Sequence, residues 1–162
     1  MACEFIAPNQ TVALNSPILF NDSIACASGL VYHNDGDGTF QLRGINGNAC
    51  MCNCGCTQRT TDYIVEFNGN IAIPEGGTVG PIAVAIALNG EPINYSRGIL
   101  TPAAVDEYGH VTARRIVKIL CGCCPSVSVE YVNGSVNDPA FVPTPVINVV
   151  DGNLTIDLAK NK

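Results

Sequence analysis

Seven of the nine cysteines fall in two short stretches: Cys50, Cys52, Cys54 and Cys56 in CMCNCGC, and Cys121, Cys123 and Cys124 in CGCC. Thiols at this density can hold a metal, exchange disulfides or staple the chain covalently. In an extended segment alternate residues share a face, so the first group would form a row of sulfurs. Neighbours in such a row sit near the upper limit of Cα separation for a disulfide, and their side chains run parallel. Pairing to another strand or within a curled loop is the more natural outcome, and CGCC, at a turn, is the obvious partner. Ribbon-type zinc sites space their ligands C-x-x-C or wider, whereas the spacing here is C-x-C, which occurs in thiolate clusters. Cys26 counts as a disulfide candidate, and three readings stay open for Cys50, Cys52, Cys54, Cys56, Cys121, Cys123 and Cys124. They are disulfides within or between chains, a zinc-thiolate cluster, and reduced cysteines packed as small apolar residues. The odd count leaves at least one thiol free or paired to another molecule, and Cys3 near the N-terminus is the natural candidate. A redox enzyme would place C-x-x-C at a helix start, and no such helix is legible.

A second group, His33, Asp35 and Asp37 in HNDGDG, looks like a calcium loop at first sight. The further ligands and closing glutamate of an EF-hand are missing, so a hairpin tip is the expectation. His110 reads as a surface histidine. There is no G-x-S-x-G, no H-E-x-x-H and no P-loop, and neither histidine stands beside a nucleophile in sequence. No catalytic residue is assigned and the chain is expected not to be an enzyme.

The elements that must carry these residues are strands. Apolar residues recur with period two between Gly, Pro, Asn and Asp punctuation, and no long helical periodicity is present. SGLVYHN and TFQLRGI flank DGDG as a hairpin. DYIVEFNGNIAI alternates Tyr63, Val65 and Phe67 against Ile64 and Glu66. PIAVAIAL sets Ile82, Val84, Ile86 and Leu88 on one face and Ala83, Ala85 and Ala87 on the other, so it is expected to be covered on both sides. HVTARRIVKIL, SVSVEYVNG, VINVV and LTIDLA complete roughly eight to ten strands, with a turn at DGN between the last two. Only TPAAVDEYG has room for a helical turn. These elements predict an all-β antiparallel sandwich or barrel. Residues 1–20, whose TVALNSPILF contains Pro17, are read as an extended arm or edge strand, and 21–162 as the domain.

With 162 residues, 47% hydrophobic and only 14% charged, the chain can bury a sizeable core, and few charges remain for a solvated surface. Part of that surface is therefore expected to meet other copies or an assembly. A net charge of −6 with scattered Lys and Arg argues against nucleic acid. The N-terminus lacks the basic stretch of a secretory signal, and no apolar run approaches a membrane span. Synthesis in a bacterial cytoplasm, no membrane and no nucleic-acid partner are the resulting expectations.

Residues Tyr63, Val65, Phe67 and Ile71, then Asn89–Gly90, Val127, Val129 and Asn153–Ile156, follow a pattern that resembles a known family. It is similar to the compact jelly rolls related to tumour necrosis factor and the complement globular head, in their bacterial and bacteriophage form. The resemblance spans roughly residues 28–160. It implies a homotrimeric, non-enzymatic jelly roll without cofactor, a phage virion protein of the head-decoration or head-fibre type. The knob would sit on the virion surface and dock on the capsid through the N-terminal arm. Tyr63, Phe67 and Tyr131 would then lie near the trimer axis, with ordinary sandwich core as their other reading. A cysteine-cross-linked spore-surface protein is one alternative, and a module binding carbohydrate, or zinc at the cysteine cluster, is another. The chain has no G-x-y stalk of the kind that carries related jelly rolls on spores.

Overall fold

A computed structural model describes residues 2–24, 29–44, 60–120, 123–138 and 140–159. Among them the chain forms β1 (Ala2–Ala7), β2 (Gln10–Ala13), β3 (Asn21–Ile24), β4 (Val31–Tyr32), β5 (Thr39–Leu42) and β6 (Thr60–Ala72). Then follow β7 (Ile82–Leu88), β8 (Glu91–Pro92), β9 (Gly98–Leu100), β10 (Gly109–Leu120), β11 (Ser126–Asn133) and β12 (Val146–Leu158). One sheet has the order β10-β6-β12-β1-β3, with β2 also on β12; the other has β4-β5-β11-β7-β8, with β9 also on β7. Every strand pairing is antiparallel. The expected all-β jelly-roll sandwich is the fold.

Period-two alternation puts one face of each strand inside. Tyr63, Val65, Phe67 and Ile71 of β6, and Ile147, Val149, Leu154 and Ile156 of β12, meet Val84, Ile86, Val129 and Tyr131 from the facing sheet. Two hairpins form, the one expected from DGDG and a second at NGEP. In the first, β4 pairs β5. In the second, β7 pairs β8 through Asn89 and Gly90, both at positive φ, as the tight turn between two strands demands. Beyond β8, the buried Ser96 fills a gap in the ladder: its Oγ accepts the Ile86 N–H at 2.8 Å and donates to the Ile93 carbonyl at 2.7 Å.

Three expectations are corrected. TPAAVDEYG forms no helix, and the one helical turn among the described residues is a 3-10 turn at Asn94–Ser96. DGN is not a turn between strands. β12 runs straight through it with a register shift against β6 between Val150 and Asn153. Asp151, at φ 52°, takes up the extra length, and Gly152 lies so close to β1 that a Cβ there would meet the Ala7 Cβ at 2.7 Å. Residues 2–20 are not a free arm, and the edge-strand reading holds for β2 alone. β1 is hydrogen-bonded on both sides, by β12 and β3, and its inward residues Cys3, Phe5 and Ala7 are core. After β2, an edge strand on β12, the chain crosses to the other sheet, where the Ile18 N–H donates to the Val129 carbonyl at 2.8 Å. Val12, Ile18 and Phe20 are buried, because a segment that bridges two sheets must put its apolar side between them.

Candidate functional site

The sequence singles out cysteines, three aromatic residues and an acidic hairpin, of which the described residues include Cys3, Cys123 and Cys124, the aromatic residues and the hairpin. Cys26, Cys50, Cys52, Cys54, Cys56 and Cys121 lie outside the described residues. Cys3 is only 3% exposed and is disulfide-bonded, so it is not the free or intermolecular thiol expected of it. The reason is the place of β1 inside the sheet, which points Cys3 at the core. Cys123 and Cys124 stand just before β11 as thiols, Cys123 exposed. Among the described residues no group of cysteines is placed to hold a metal.

Tyr63, Phe67 and Tyr131 are core residues of a single chain, each at most 1% exposed, and not residues of a surface between chains. Each tyrosine hydroxyl has a partner within the chain: Tyr63 Oη donates to the Arg43 carbonyl at 2.5 Å and Tyr131 Oη to the Thr144 carbonyl at 2.6 Å. The flat strand β7 is covered on both sides, as expected, with Ala83, Ala85 and Ala87 fully buried. Beside them on the outer side of β11, Ser128 and Glu130 are also buried, and Ser128 Oγ donates to Glu130 Oε1 at 3.1 Å. The β7–β11 part of that sheet surface is closed by the chain itself.

Burial pushes the Glu130 carboxyl above its ordinary value of 4.5, while the Ser128 hydrogen bond pulls the other way. A raised carboxyl stabilises the fold fully below the unfolded-chain value and loses that contribution as pH rises through the folded value. Glu130→Gln keeps the acceptor for Ser128 and removes the charge. Its thermal midpoint at neutral pH is expected to exceed that of the unmodified protein, with a flatter dependence on pH above 4.5. Calorimetry across that range checks it, and a lower midpoint at neutral pH would contradict the burial argument.

The open surface is the outer side of the other sheet, where β10, β6, β12 and β1 lie side by side. Their register builds cross-strand rows: Thr112, Asn68, Asn153 and Ile6; then Arg114, Glu66, Thr155 and Glu4; then Ile116, Ile64, Asp157 and Ala2. The first two rows form a polar ladder. Thr112 Oγ1 donates to Asn68 Oδ1 at 2.6 Å, Asn68 Nδ2 to Glu66 Oε1 at 3.0 Å, and Asn153 Nδ2 to Glu4 Oε1 at 2.5 Å. Arg114 Nε pairs with Glu66 Oε2 at 3.1 Å. Ile6, at the end of the first row, is 49% exposed, Ile116, next to the ladder, 47%, and Leu120, further along β10 beyond the Lys118–Asp62 pair, 58%. The polar groups are occupied with one another and the apolar ones are in water. Covering such a face would leave no polar group of the ladder newly unpaired. Alternation marks these residues as outward, but the sequence holds no signal that this face, rather than the alanine face, is the uncovered one.

No helix of the described residues is long and apolar enough to cross a membrane. No protein-family model and no curated protein sequence matches the chain. Solved structures are similar over nearly its whole length. The globular domain of zebrafish complement 1qA is 12% identical with a TM-score of 0.58, covering 99% of this chain and 98% of that one. Eiger TNF from S. frugiperda is 8% identical with a TM-score of 0.63, covering 100% and 94%. Murine APRIL at pH 5.0 is 9% identical with a TM-score of 0.52, covering 95% and 98%. At these identities the likeness shows the fold, a jelly roll of the tumour necrosis factor and complement globular-head type.

Proposed function

We propose that this chain is a non-enzymatic structural protein that works as a homotrimeric knob, with the open face of the β10-β6-β12-β1 sheet as its self-contact. The observation that carries the reading is that face: apolar side chains exposed around a polar ladder whose groups already satisfy one another. Low charge over the whole chain and the sequence pattern shared with trimeric jelly rolls support it. The same pattern, in its bacteriophage form, supports a place on the surface of a phage particle as a head decoration or fibre. The contribution there is geometric: reinforcing the shell, or adhering weakly to host surfaces with threefold valency. Docking through an N-terminal arm is not part of this reading, because residues 2–20 are built into the sandwich. A cysteine-cross-linked surface protein, as on spores, is the second reading, and the exposed thiol of Cys123 favours it.

Native mass spectrometry of protein purified without reductant tests both. Three chains are expected, and Ile116→Arg is expected to weaken association by about tenfold or more, because it sets a charge in an apolar contact. Val142→Arg, at another exposed site, serves as the control and should remain trimeric. A single-chain mass for the unmodified protein would overturn the knob. Disulfide-linked ladders that vanish in Cys123→Ser would favour cross-linking instead.

A further inference from the structure

The HNDGDG hairpin buries one titratable group that neither the knob nor the turn accounts for. His33 follows β4, and its side chain is only 1% exposed. The ring stacks on Phe40 at 4.2 Å and 13°, and makes an edge contact with Phe5 at 5.2 Å. Both of its nitrogens face oxygens. Nε2 lies 2.9 Å from the Asp37 backbone carbonyl oxygen, and Nδ1 lies 2.7 Å from Asp22 Oδ1. Turning the ring over would put carbons at both places, so the two contacts fix its orientation. A carbonyl oxygen only accepts, so Nε2 carries a proton. An ionised carboxylate also only accepts, so Nδ1 carries one as well. A neutral imidazole has a single N–H and would turn a lone pair toward one of the two oxygens.

We propose that the folded protein holds His33 as a doubly protonated imidazolium, and that release of one of its protons is a pH switch for the closure of this side of the sandwich. The charges around the ring favour the second proton. Asp22 faces it from β3. A carboxylate oxygen of Asp35, from the hairpin, lies within 4.8 Å of the ring nitrogen and accepts the Asp22 N–H at 2.8 Å. The Asp37 carboxylate is taken up by the Thr39 N–H and hydroxyl, at 3.0 and 3.2 Å. From β1 and β5 the ring meets Phe5 and Phe40, and an aromatic face attracts a cation. Burial acts the other way, since desolvation disfavours a charged ring, and the two charge-assisted hydrogen bonds offset it. β3 is at the edge of one sheet and β4 at the edge of the other, so the imidazolium ties the two edges together. When the ring becomes neutral, Nε2–H stays on the Asp37 carbonyl and Nδ1 turns its lone pair on Asp22. The tie is therefore intact on the acid side of that step and lost on the alkaline side. It lies within one chain and does not depend on the trimer.

Nitrogen NMR of the two histidine rings, together with amide hydrogen exchange of the full chain, tests this. At neutral pH both His33 nitrogens are expected to carry protons. As the pH is raised until His33 releases one, protection of the Asp22 N–H should fall by about tenfold or more beyond the intrinsic change in exchange rate. His110, exposed on β10, is the control, since its own step should leave Asp22 unchanged. Asp22→Asn supplies an amide that can donate to a neutral Nδ1. Its His33 should carry one proton, on Nε2, at neutral pH, and the step in protection should vanish. The Asp22 side chain is 39% exposed, so the substitution should keep the fold. A single proton on His33 of the unmodified protein at neutral pH would overturn the proposal. A fall in protection that persists in Asp22→Asn would overturn it as well.

Discussion

Phe40→Ala is expected to remove about 3–5 kcal/mol of folding stability. The ring is fully buried and is the hub of an aromatic cluster that joins the two sheets. It lies 4.5 Å from Phe5 of β1, 5.6 Å from Phe20 of the crossing segment and 4.2 Å from His33, and Phe20 in turn meets Phe67 of β6 at 6.2 Å. Truncation would open a cavity whose walls belong to both sheets, so collapse of one wall cannot fill it. It would also take away the surface that holds His33 in place. Typical domains have about 5–15 kcal/mol in hand, so the loss would be a large fraction of the whole. Denaturant unfolding followed by circular dichroism checks this. Phe40→Leu should recover most of the stability, and a loss below about 1 kcal/mol for alanine would mean that the cluster does not join the sheets.

Tyr131→Ala is expected to cost about 3–5 kcal/mol for the same reason, and Tyr131→Phe separates the ring from the hydroxyl. The phenylalanine variant keeps the packing but leaves the carbonyl of the buried Thr144 without its donor at 2.6 Å, a loss of about 1–3 kcal/mol. Burial pushes the Tyr131 phenol up to about 12 from an ordinary 10.0. The fold prefers the protonated phenol, so its contribution is complete below 10.0 and is lost as pH rises through about 12. Unfolding curves at alkaline pH should show this loss in the unmodified protein and lack that component in Tyr131→Phe. An identical alkaline decline in both would place its origin elsewhere.

Much of this fold is legible because β alternation is local. β6, β7, β10 and β11 each announce themselves within a dozen residues, and Asp-Gly and Asn-Gly mark the tight hairpins. The misreadings share a different cause. ACEFIA alternates as well as any strand, but its partner is β12 at the far end of the chain, and nothing near Pro8 reports that pairing. DGN meets the requirement for positive φ in a turn and in a bulge equally, and only contact with Ala7 and Asn9 makes it a bulge. Alternation told that Tyr63, Phe67 and Tyr131 share a side of their strands with other large residues. It could not tell whether that side faces the partner sheet or another chain; hydroxyl partners on Arg43 and Thr144 place it inside. Only part of the surroundings of His33 is legible: HNDGDG shows its own aspartates, but Asp22, 2.7 Å from His33 Nδ1, comes from a separate strand and has no sequence spacing to reveal it.

The place of β1 also bears on how the molecule is made. Ala2 pairs with Asp157 and Ala7 with Gly152, so β1 is held by β12, a strand synthesised long after it. While the rest of the chain is being synthesised, Cys3 and Phe5 have no finished sheet to enter, and β3 has no neighbour on the side that β1 will supply. Closure of that sheet is a late, long-range event of the kind that makes β-sandwiches fold in milliseconds to seconds rather than microseconds. Until then an unpaired apolar strand is exposed to every neighbouring nascent chain, and the yield of correctly folded protein rests on how fast β12 arrives.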